Sequence, residues 1–549
     1  MRQRKWAMDF LILFALAWAG YKFTWDLERW FDIPTFDEAE AVHRGDVLRF
    51  ELQDLTRLKA EWSPLYVTWY ALLKRLAHPE DRVALHDLNW RVLAVLTSMG
   101  LYVVLRRYHI RPAYAAALAL FALLSRLIWF ELTRSVLLAV GFALLAAWWA
   151  TWYRKPWKRL WVAGWSLWLA AFTRPEYALA AGLVTAASLI TLFRAWRRQG
   201  RLSLTRKDVG LAAPVLLAAV GFALWGRPFG HGRSVYAFGQ HFAFNRWACM
   251  GMPGNRSWEE EVEAAFGPLE NVYQAVWRNP ALFARHVGCN VARAKKLIGQ
   301  ITIHAPFTGV RYVYEAGVFA VAWVLGSVLV GFRRPHRIKR RLQVGWARGD
   351  LVYWGLLWAV LLSPILIISS DKPHYRAQFG WATLVLWAYL FLPRRYRPIS
   401  WRRAALIAAL VVAVAPPTMA GLSGHPRWAP TLYNRATIQA IRHLNLPEEG
   451  PITVSGHRRL AYYFLVAYLD ERFQIGRRLP QEDVLSFIQT YQPDLIIVHR
   501  PWYGGDDSWE AFQAYPEAYG YWVYPIGEKR ALYIRADRIP PPKTYEFPP

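Results

Sequence analysis

Three carboxylates stand within four residues at Asp37, Glu38 and Glu40, in the stretch IPTFDEAEAVHR that begins at Ile33, and His43 and Arg44 follow directly. A carboxylate held near a hydroxyl can act as a general base. With His43 and Asp46 the same acids also offer oxygen and nitrogen ligands to a divalent cation, although no fixed ligand spacing is present. A helix capped by Thr35 or Asp37 favours negative charge in its first turn, which accounts for one acid but not for three. A second set stands at the edges of apolar runs, where charge is expensive: Arg174 and Glu176 in FTRPEYAL, Lys372, His374, Tyr375 and Arg376 in SDKPHYR, and Arg134 after IWFEL. Ionisable residues in such places mark function more readily than those on a soluble surface. The alternative is that they anchor span ends at the headgroups.

The elements that must position these groups are apolar. Of 549 residues, 55% are hydrophobic and 16% aromatic, and the chain repeats runs long enough to cross a bilayer, each needing about 20 residues. The pattern predicts a polytopic α-helical membrane protein with about eleven transmembrane helices, at 6–24, 84–105, 113–132, 135–153, 159–173, 177–194, 208–226, 312–332, 350–369, 375–393 and 403–421. A formal charge of +28 would suggest nucleic acid in a soluble protein, but here the basic residues fall in short stretches between apolar runs. These are MRQRK, RRYHIR, RKPWKR, RAWRRQGRLSLTRK, FRRPHRIKRR and RRYRPISWRR. In that position they report topology, and nucleic acid is not an expected partner.

An odd number of crossings places every basic stretch on the cytoplasmic side of the cytoplasmic membrane, with the N-terminus inside and the C-terminus outside. A twelfth crossing at SPLYVTWYALL would turn alternate stretches outward. That segment is only about a dozen residues long, too short to span, and is expected to lie as an interfacial helix. No small-residue cleavage site precedes WDLERW, so the first run is expected to remain as an anchor.

The transmembrane module then occupies residues 1–429, with extracytoplasmic loops at 25–83 and 227–311, and residues 430–549 form a soluble extracytoplasmic α/β domain. In that tail PITVSG, ERFQIG and DLIIVHR read as strands, HRRLAYYFLVAYL and EDVLSFIQTYQ as helices, and YWVYPIGEKRALYIR as a hairpin turning at Gly527, giving a mostly parallel sheet. His457, His499, Asp506 and Asp507 fall near strand ends, where such sheets bind ligands, or serve as ordinary loop residues. The second loop carries both cysteines, Cys249 and Cys289, which either close a loop of about 40 residues or stay as two buried thiols; their spacing is not that of a metal site. In the first loop, helical spacing sets Asp37, Glu40 and Arg44 on one side and Leu48, Leu52 and Leu55 along another, as in one amphipathic helix at the membrane interface.

An acidic DEA just after the first apolar run, then an amphipathic helix, then SPLYVTWYALL, resembles the first loop of the GT-C glycosyltransferases. The similarity is to the bacterial branch related to protein O-mannosyltransferases and to the aminoarabinose transferase of lipid A. LNWRVLAVLTSMGLYVVLRRY is comparable with that family's Arg-containing span start, FTRPEYAL with its Arg-Pro-Glu turn, and SDKPHYRAQFGWATLVL with its late outer loop. The similarity covers the membrane region, about three quarters of the chain.

The resemblance implies transfer of a sugar from a polyprenyl-phosphate carrier to an acceptor hydroxyl, with inversion, the acceptor being a lipid, a glycan or a protein. It implies Asp37 as the general base, matching the first acid of the family's Asp-Glu pair, with Glu38 as its helper. It implies cations where the departing phosphate gains charge: Arg174, steadied by Glu176, with Lys372, His374 and Arg376. Glu40, His43 and Tyr375 are the implied acceptor contacts or supports. Where the family has Lys or His before Pro-Pro, this chain has Glu61, Trp62 and Ser63 before Pro64, so a cation at that point would be Lys59 or Arg57. The nearest branch implies no metal, although the wider superfamily includes members that use a divalent cation.

Other classes remain. A ligase or polymerase of O-antigen type would place its chemistry in the second loop, at Arg233, His241, Arg246 and His286. A transporter would show paired repeats or polar helices at mid-membrane, and no internal repeat is evident. A non-catalytic scaffold with a sensing tail is the third alternative.

Overall fold

The computed structural model describes residues 4–35, 37–59, 62–125, 128, 134–199, 206–228, 232–252, 257–303, 335–370, 372–394, 399–415, 433–456, 462–477, 479–480, 483–499, 507–527 and 530–541, without the side chains of 4–7, 30, 206–207, 294–303, 462–464 and 499. The predicted span at 312–332 and the tail residues His457 and Asp506 lie outside the described residues. The chain folds as two compact units. One comprises Met1–Trp25, Arg49–Thr68 and Trp90–His425; the other comprises Asp26–Leu48, Trp69–Asn89 and Pro426–Pro549.

The first unit is helical. Helices at Arg4–Phe23, Arg82–Arg107, Pro112–Leu124, Ser135–Ala150, Pro156–Ala171, Tyr177–Gln199, Ala212–Trp225, Asp350–Ile367, Pro373–Phe391 and Trp401–Val414 fall on the predicted apolar segments. Five stretches are long and apolar enough to cross a membrane: Met8–Arg29, Arg82–Arg107, Tyr177–Gln199, Asp208–Trp225 and Asp350–Ile367. Pro112–Leu124 and Ser135–Ala150 are shorter and equally apolar. The chain is therefore built as a membrane-embedded helical protein. Exposed faces carry large apolar side chains, such as Leu189 and Ile190 on Tyr177–Gln199 and Leu216 and Val220 on Ala212–Trp225, as expected of surfaces solvated by lipid.

The second loop is a helical subdomain of the same unit. Helices Arg233–Ala248, Trp258–Phe266, Val272–Arg278 and Pro280–Ile303 enclose Phe238, Phe242, Val262, Phe266 and Ala275. Ser257 and Glu260 form a reciprocal cap at the start of Trp258–Phe266, and the Asn271 side chain accepts from the Gln274 amide at the start of Val272–Arg278. Cys249 and Cys289 are joined in a disulfide, and cross-linking 40 residues restricts the unfolded chain by about 4 kcal/mol.

The second unit holds a five-stranded sheet: β1 (Ile452–Gly456), β2 (Phe473–Ile475), β3 (Leu495–His499), β4 (Tyr521–Ile526) and β5 (Arg530–Arg535), in the order β2-β1-β3-β5-β4. β1 runs parallel to β2 and β3, whereas β5 is antiparallel to β3 and β4. The sheet is thus mixed rather than mostly parallel, because the closing hairpin returns through Gly527, at φ 61°, and lays β5 beside β3. Alternate residues Ile496 and Val498 of β3 and Ala531 and Tyr533 of β5 face Val484, Ile488, Trp509 and Phe512 from helices Val484–Tyr491 and Asp507–Ala514. Leu495 and Ile497 are buried on the other face, which explains why DLIIV reads as an unbroken apolar run. Where a helix was expected over HRRLAYYFLVAYL, the described part is a 3-10 turn at Tyr462–Tyr468.

The first loop also differs from expectation. Instead of one amphipathic helix through Leu55, the chain forms Asp37–Val47, breaks, and restarts as Leu52–Arg57. Asp46 is held by Lys74 at 2.6 Å and Arg82 at 2.8 Å, which fixes the end of the first helix. Glu51 is extended and serves as the cap position of the second. Segments 26–48 and 69–89 share their unit with the tail, and the joint is polar. Asp32 accepts from the backbone amides of Asn434 and Arg435 at 2.8 and 2.9 Å, and Arg435 forks onto Asp87 at 2.9 and 2.5 Å. Arg435 is 7% exposed, and its Nε also donates to the Phe31 carbonyl at 2.7 Å. Removing it leaves a buried carboxylate without its cation, so Arg435→Ala is expected to lower stability by about 3–5 kcal/mol. Denaturant unfolding of the purified chain in detergent measures this; a loss below about 1 kcal/mol would contradict the assignment.

Candidate functional site

Two prolines build one end of the helical unit. Pro175 cannot continue the helix Pro156–Ala171, so Phe172–Glu176 turns before Tyr177 starts the next helix. The turn is wedged in place by Phe172, whose ring lies edge-on to Phe222 and Trp225 at 5.3 Å each, over Gly221. A Cβ at Gly221 would meet that ring at 2.3 Å, so only glycine allows the approach. Pro373 occupies the first position of Pro373–Phe391 and leaves Lys372 extended in front of it, with His374 and Tyr375 in the first turn.

These local rules bring charge together. Arg174 meets Glu176 through Nε at 2.9 Å and a terminal nitrogen at 2.8 Å, and Gln378 donates to the same carboxylate oxygen at 2.9 Å. Arg174 also lies against the Tyr375 ring at 5.9 Å, and that ring packs on His374 at 4.2 Å. Arg174, Lys372, His241 and Arg233 all act electrostatically on the His374 imidazole. Arg233 in turn lies 4.4 Å over the Trp62 ring, three residues after the exposed Lys59. Arg376 stands on the same helix as His374, about 200° around it by helical periodicity. Residues from three separate stretches, the turn at Arg174, the helix carrying Arg233 and His241, and the segment Lys372–His374, thus form one cationic cluster beside two helix N-termini, an environment suited to an anion.

The second loop supports this cluster more than it supplies separate chemistry. Asn290 donates to the Leu366 carbonyl at 2.8 Å and His286 Nε2 lies 2.7 Å from the Ile367 carbonyl, so loop side chains cap the end of Asp350–Ile367 that leads into SSDKPHYR. The other ring nitrogen of His286 lies 3.0 Å from Asn245 Nδ2. Burial, outweighing the bond to Ile367, pushes His286 down to about 4. Arg246 is paired with the buried Glu261 at 3.0 Å. His241, pushed down to about 3 by burial and then by Lys372 and His286, belongs to the cationic cluster as a neutral imidazole.

The acids of the first loop lie in the other unit and separate onto different partners. Asp37 is exposed at the start of Asp37–Val47. Glu38 is 1% exposed and accepts from the Tyr70 hydroxyl at 2.5 Å, with His86 Nδ1 3.6 Å away. Asn89 donates to the Tyr70 hydroxyl at 2.9 Å and accepts from Trp69 Nε1 at 2.8 Å. Glu40 pairs with Arg44 one turn on. His43 is lowered by burial and then by Arg82. Asp46 is lowered despite burial, because Lys74 and Arg82 bond to it. Among the described residues no three of His, Cys, Asp and Glu gather as a metal site requires. His499 is described in its backbone only, at the end of β3, and Asp507 opens the helix Asp507–Ala514.

Glu38 is therefore a buried anchor rather than a group open to substrate, and neither its neighbours Tyr70 and His86 nor Asn89, which bonds to Tyr70, is among the residues the sequence singles out. His86 and Asn89 are polar residues inside the predicted span at 84–105, which was the available signal. Gln378, one turn after His374, is the same kind of signal.

Glu176 gives a measurable consequence. Burial alone would raise its pKa, but Arg174 and the Gln378 hydrogen bond outweigh it and hold the carboxyl below the ordinary glutamate range. A depressed value stabilises the fold fully above the ordinary range, and the contribution disappears as pH falls through the depressed value. Glu176→Gln is expected to lose about 3 kcal/mol at neutral pH, with the gap to wild type closing on acidification. Thermal unfolding of both proteins from neutral to acid pH measures this; a gap independent of pH would contradict it. The chain matches no protein-family model, and no curated protein matches it.

Proposed function

We propose that this chain is a membrane-embedded glycosyltransferase that moves a sugar from a polyprenyl-phosphate carrier to an acceptor hydroxyl with inversion at the anomeric carbon. In this proposal the protein sits in the cytoplasmic membrane with about eleven crossings in a GT-C-like arrangement, its N-terminus inside and its loops and tail outside. The observation that carries it is the convergence of Arg174, Lys372, His241 and Arg233 on His374 at one end of apolar helices. Cations gathered there suit a lipid phosphate, whose negative charge grows as the glycosidic bond breaks.

Roles follow from chemistry. Arg174 and Lys372 hold the departing phosphate, with Arg376 and Lys59 as further cations; Glu176 keeps Arg174 in place through two bonds. Asp37, exposed in the first turn of its helix, takes the acceptor proton as the new bond forms. Glu38 acts through position: its buried bond to Tyr70 fixes the helix that carries Asp37. Glu40, His43 and Tyr375 are supports. The proposal routes no step through a metal. The second-loop alternative draws less support, because Arg246 and His286 are engaged in bonds within the unit.

Transfer of radiolabelled sugar from a panel of polyprenyl-phosphate donors in membranes tests this, with wild type and Asp37→Asn at matched expression. Loss by a factor of about 100 or more is expected from removing a general base. Unchanged transfer would remove Asp37 from the reaction, and no transfer by wild type from any donor would overturn the donor class.

A further inference from the structure

The opposite end of Pro373–Phe391 lies about 28 Å from Lys372 by helical rise, and a second gathering of charge stands there. Arg106, Arg159, Arg348 and Arg394 come from four basic regions far apart in sequence, and all four act on the imidazole of His109. The backbone around them is tied down. His109 adopts a left-handed conformation at φ 62°, Ile110 pairs with Arg394 as a β-bridge, and the Arg111 amide donates to the Pro393 carbonyl at 3.0 Å. Trp354 donates to the Tyr108 hydroxyl at 2.9 Å, and the Tyr108 ring meets Tyr389 edge-on at 5.1 Å.

Two carboxylates face this cluster among the described residues. Asp9 accepts from Arg106 at 2.8 Å and from Tyr102 at 2.5 Å, and Asp350 accepts from Arg159 at 2.7 Å. Asp9 pairs with Arg106 and Asp350 with Arg159, and Asp350 also attracts Arg348 and Arg394, so two acids face four guanidiniums. Arg348 and Arg394 add two further positive charges. Arg348 is exposed at the last position of Pro335–Arg348. Arg394 lies over the Tyr389 ring at 4.4 Å and donates to the Tyr389 carbonyl at 3.0 Å, while its buried Nε meets no acceptor among the described residues. A buried N–H without an acceptor beside surplus positive charge calls for an oxyanion.

We propose that Arg348 and Arg394, converging with Arg106 and Arg159 on His109, bind the phosphate of an anionic phospholipid headgroup. The source is argued from position: basic pockets at the ends of membrane helices lie at headgroup depth, where anionic lipid is concentrated. A phosphate there would occupy the open side at Arg348 and bring an acceptor to the Arg394 guanidinium, whose Nε has none among the described residues. It would also ease protonation of His109, which burial and then the four guanidiniums push down to about 4. The site is independent of the transfer chemistry proposed above.

The test uses the full chain in nanodiscs of phosphatidylcholine alone or with phosphatidylglycerol. The His109 imidazole is followed by NMR, its resonance identified by loss in His109→Gln, and retained lipid is counted by mass spectrometry. Expected is an upward shift of the His109 titration in phosphatidylglycerol discs. Arg348→Gln, a change at an exposed side chain that leaves the fold intact, should abolish the shift and retain about fivefold less phosphatidylglycerol. Arg402→Gln, an exposed cation on Trp401–Val414, should do neither. No shift with phosphatidylglycerol, or equal behaviour of the Arg348→Gln and Arg402→Gln proteins, would overturn the proposal. A shift produced by inorganic phosphate in neutral discs but not by phosphatidylglycerol would overturn the lipid assignment in favour of the free ion.

Discussion

The carboxylate of Glu176 holds the buried Arg174 in the cationic cluster. Several cations held near one another at the end of apolar helices repel, and each loses hydration. Glu176 answers the most deeply set of them, Arg174, with two bonds, and Gln378 orients the carboxylate. The remaining geometry depends on this pair. Arg174 can then rest against Tyr375, and Tyr375 can pack on His374, on which Lys372 and Arg233 also act. Burial keeps His241 neutral, so the cluster gains a polar ring without gaining another charge.

The same economy governs the other unit, where the acids of the first loop part company. Glu38 is spent inside, on Tyr70, and Asp46 on two cations, so that both ends of Asp37–Val47 are fixed to neighbouring helices. Asp37 is left on the exposed first turn of a helix that cannot drift. Three carboxylates in four residues thus divide into one exposed acid, one anchor and one surface partner of Arg44. The break after Val47 ends this helix before Leu52–Arg57, so the leucines at 52 and 55 lie on a separate short helix.

Much of the fold was legible because lipid allows few solutions: helical runs of bilayer length, with polar backbone satisfied internally. The turn at Arg174–Glu176 and the start at Lys372–Pro373 were also legible, since proline sets both. What escaped was contact across distance. Nothing local in SVYAFGQHFAFNRWA shows that His241 belongs with His374, or that His286 caps a helix some eighty residues further on. The tail's strands were readable from their apolar runs, but their pairing was not, because placing β5 beside β3 is decided by how the hairpin returns. The helices Tyr433–Arg442 and Asp507–Ala514 went unread for the same reason: tertiary burial of Ile438, Ile441, Trp509 and Phe512 stabilises them.

Binding of an unsugared polyprenyl phosphate to the purified chain in detergent reads the cluster directly, without depending on the sugar or the acceptor. Wild type is compared with Arg174→Gln and Lys372→Gln. Each loses one charge-assisted contact to phosphate, so affinity is expected to fall about tenfold or more, more steeply at low salt. Equal affinity of all three proteins would show that the cations at this end of the helices serve the fold and not a lipid phosphate.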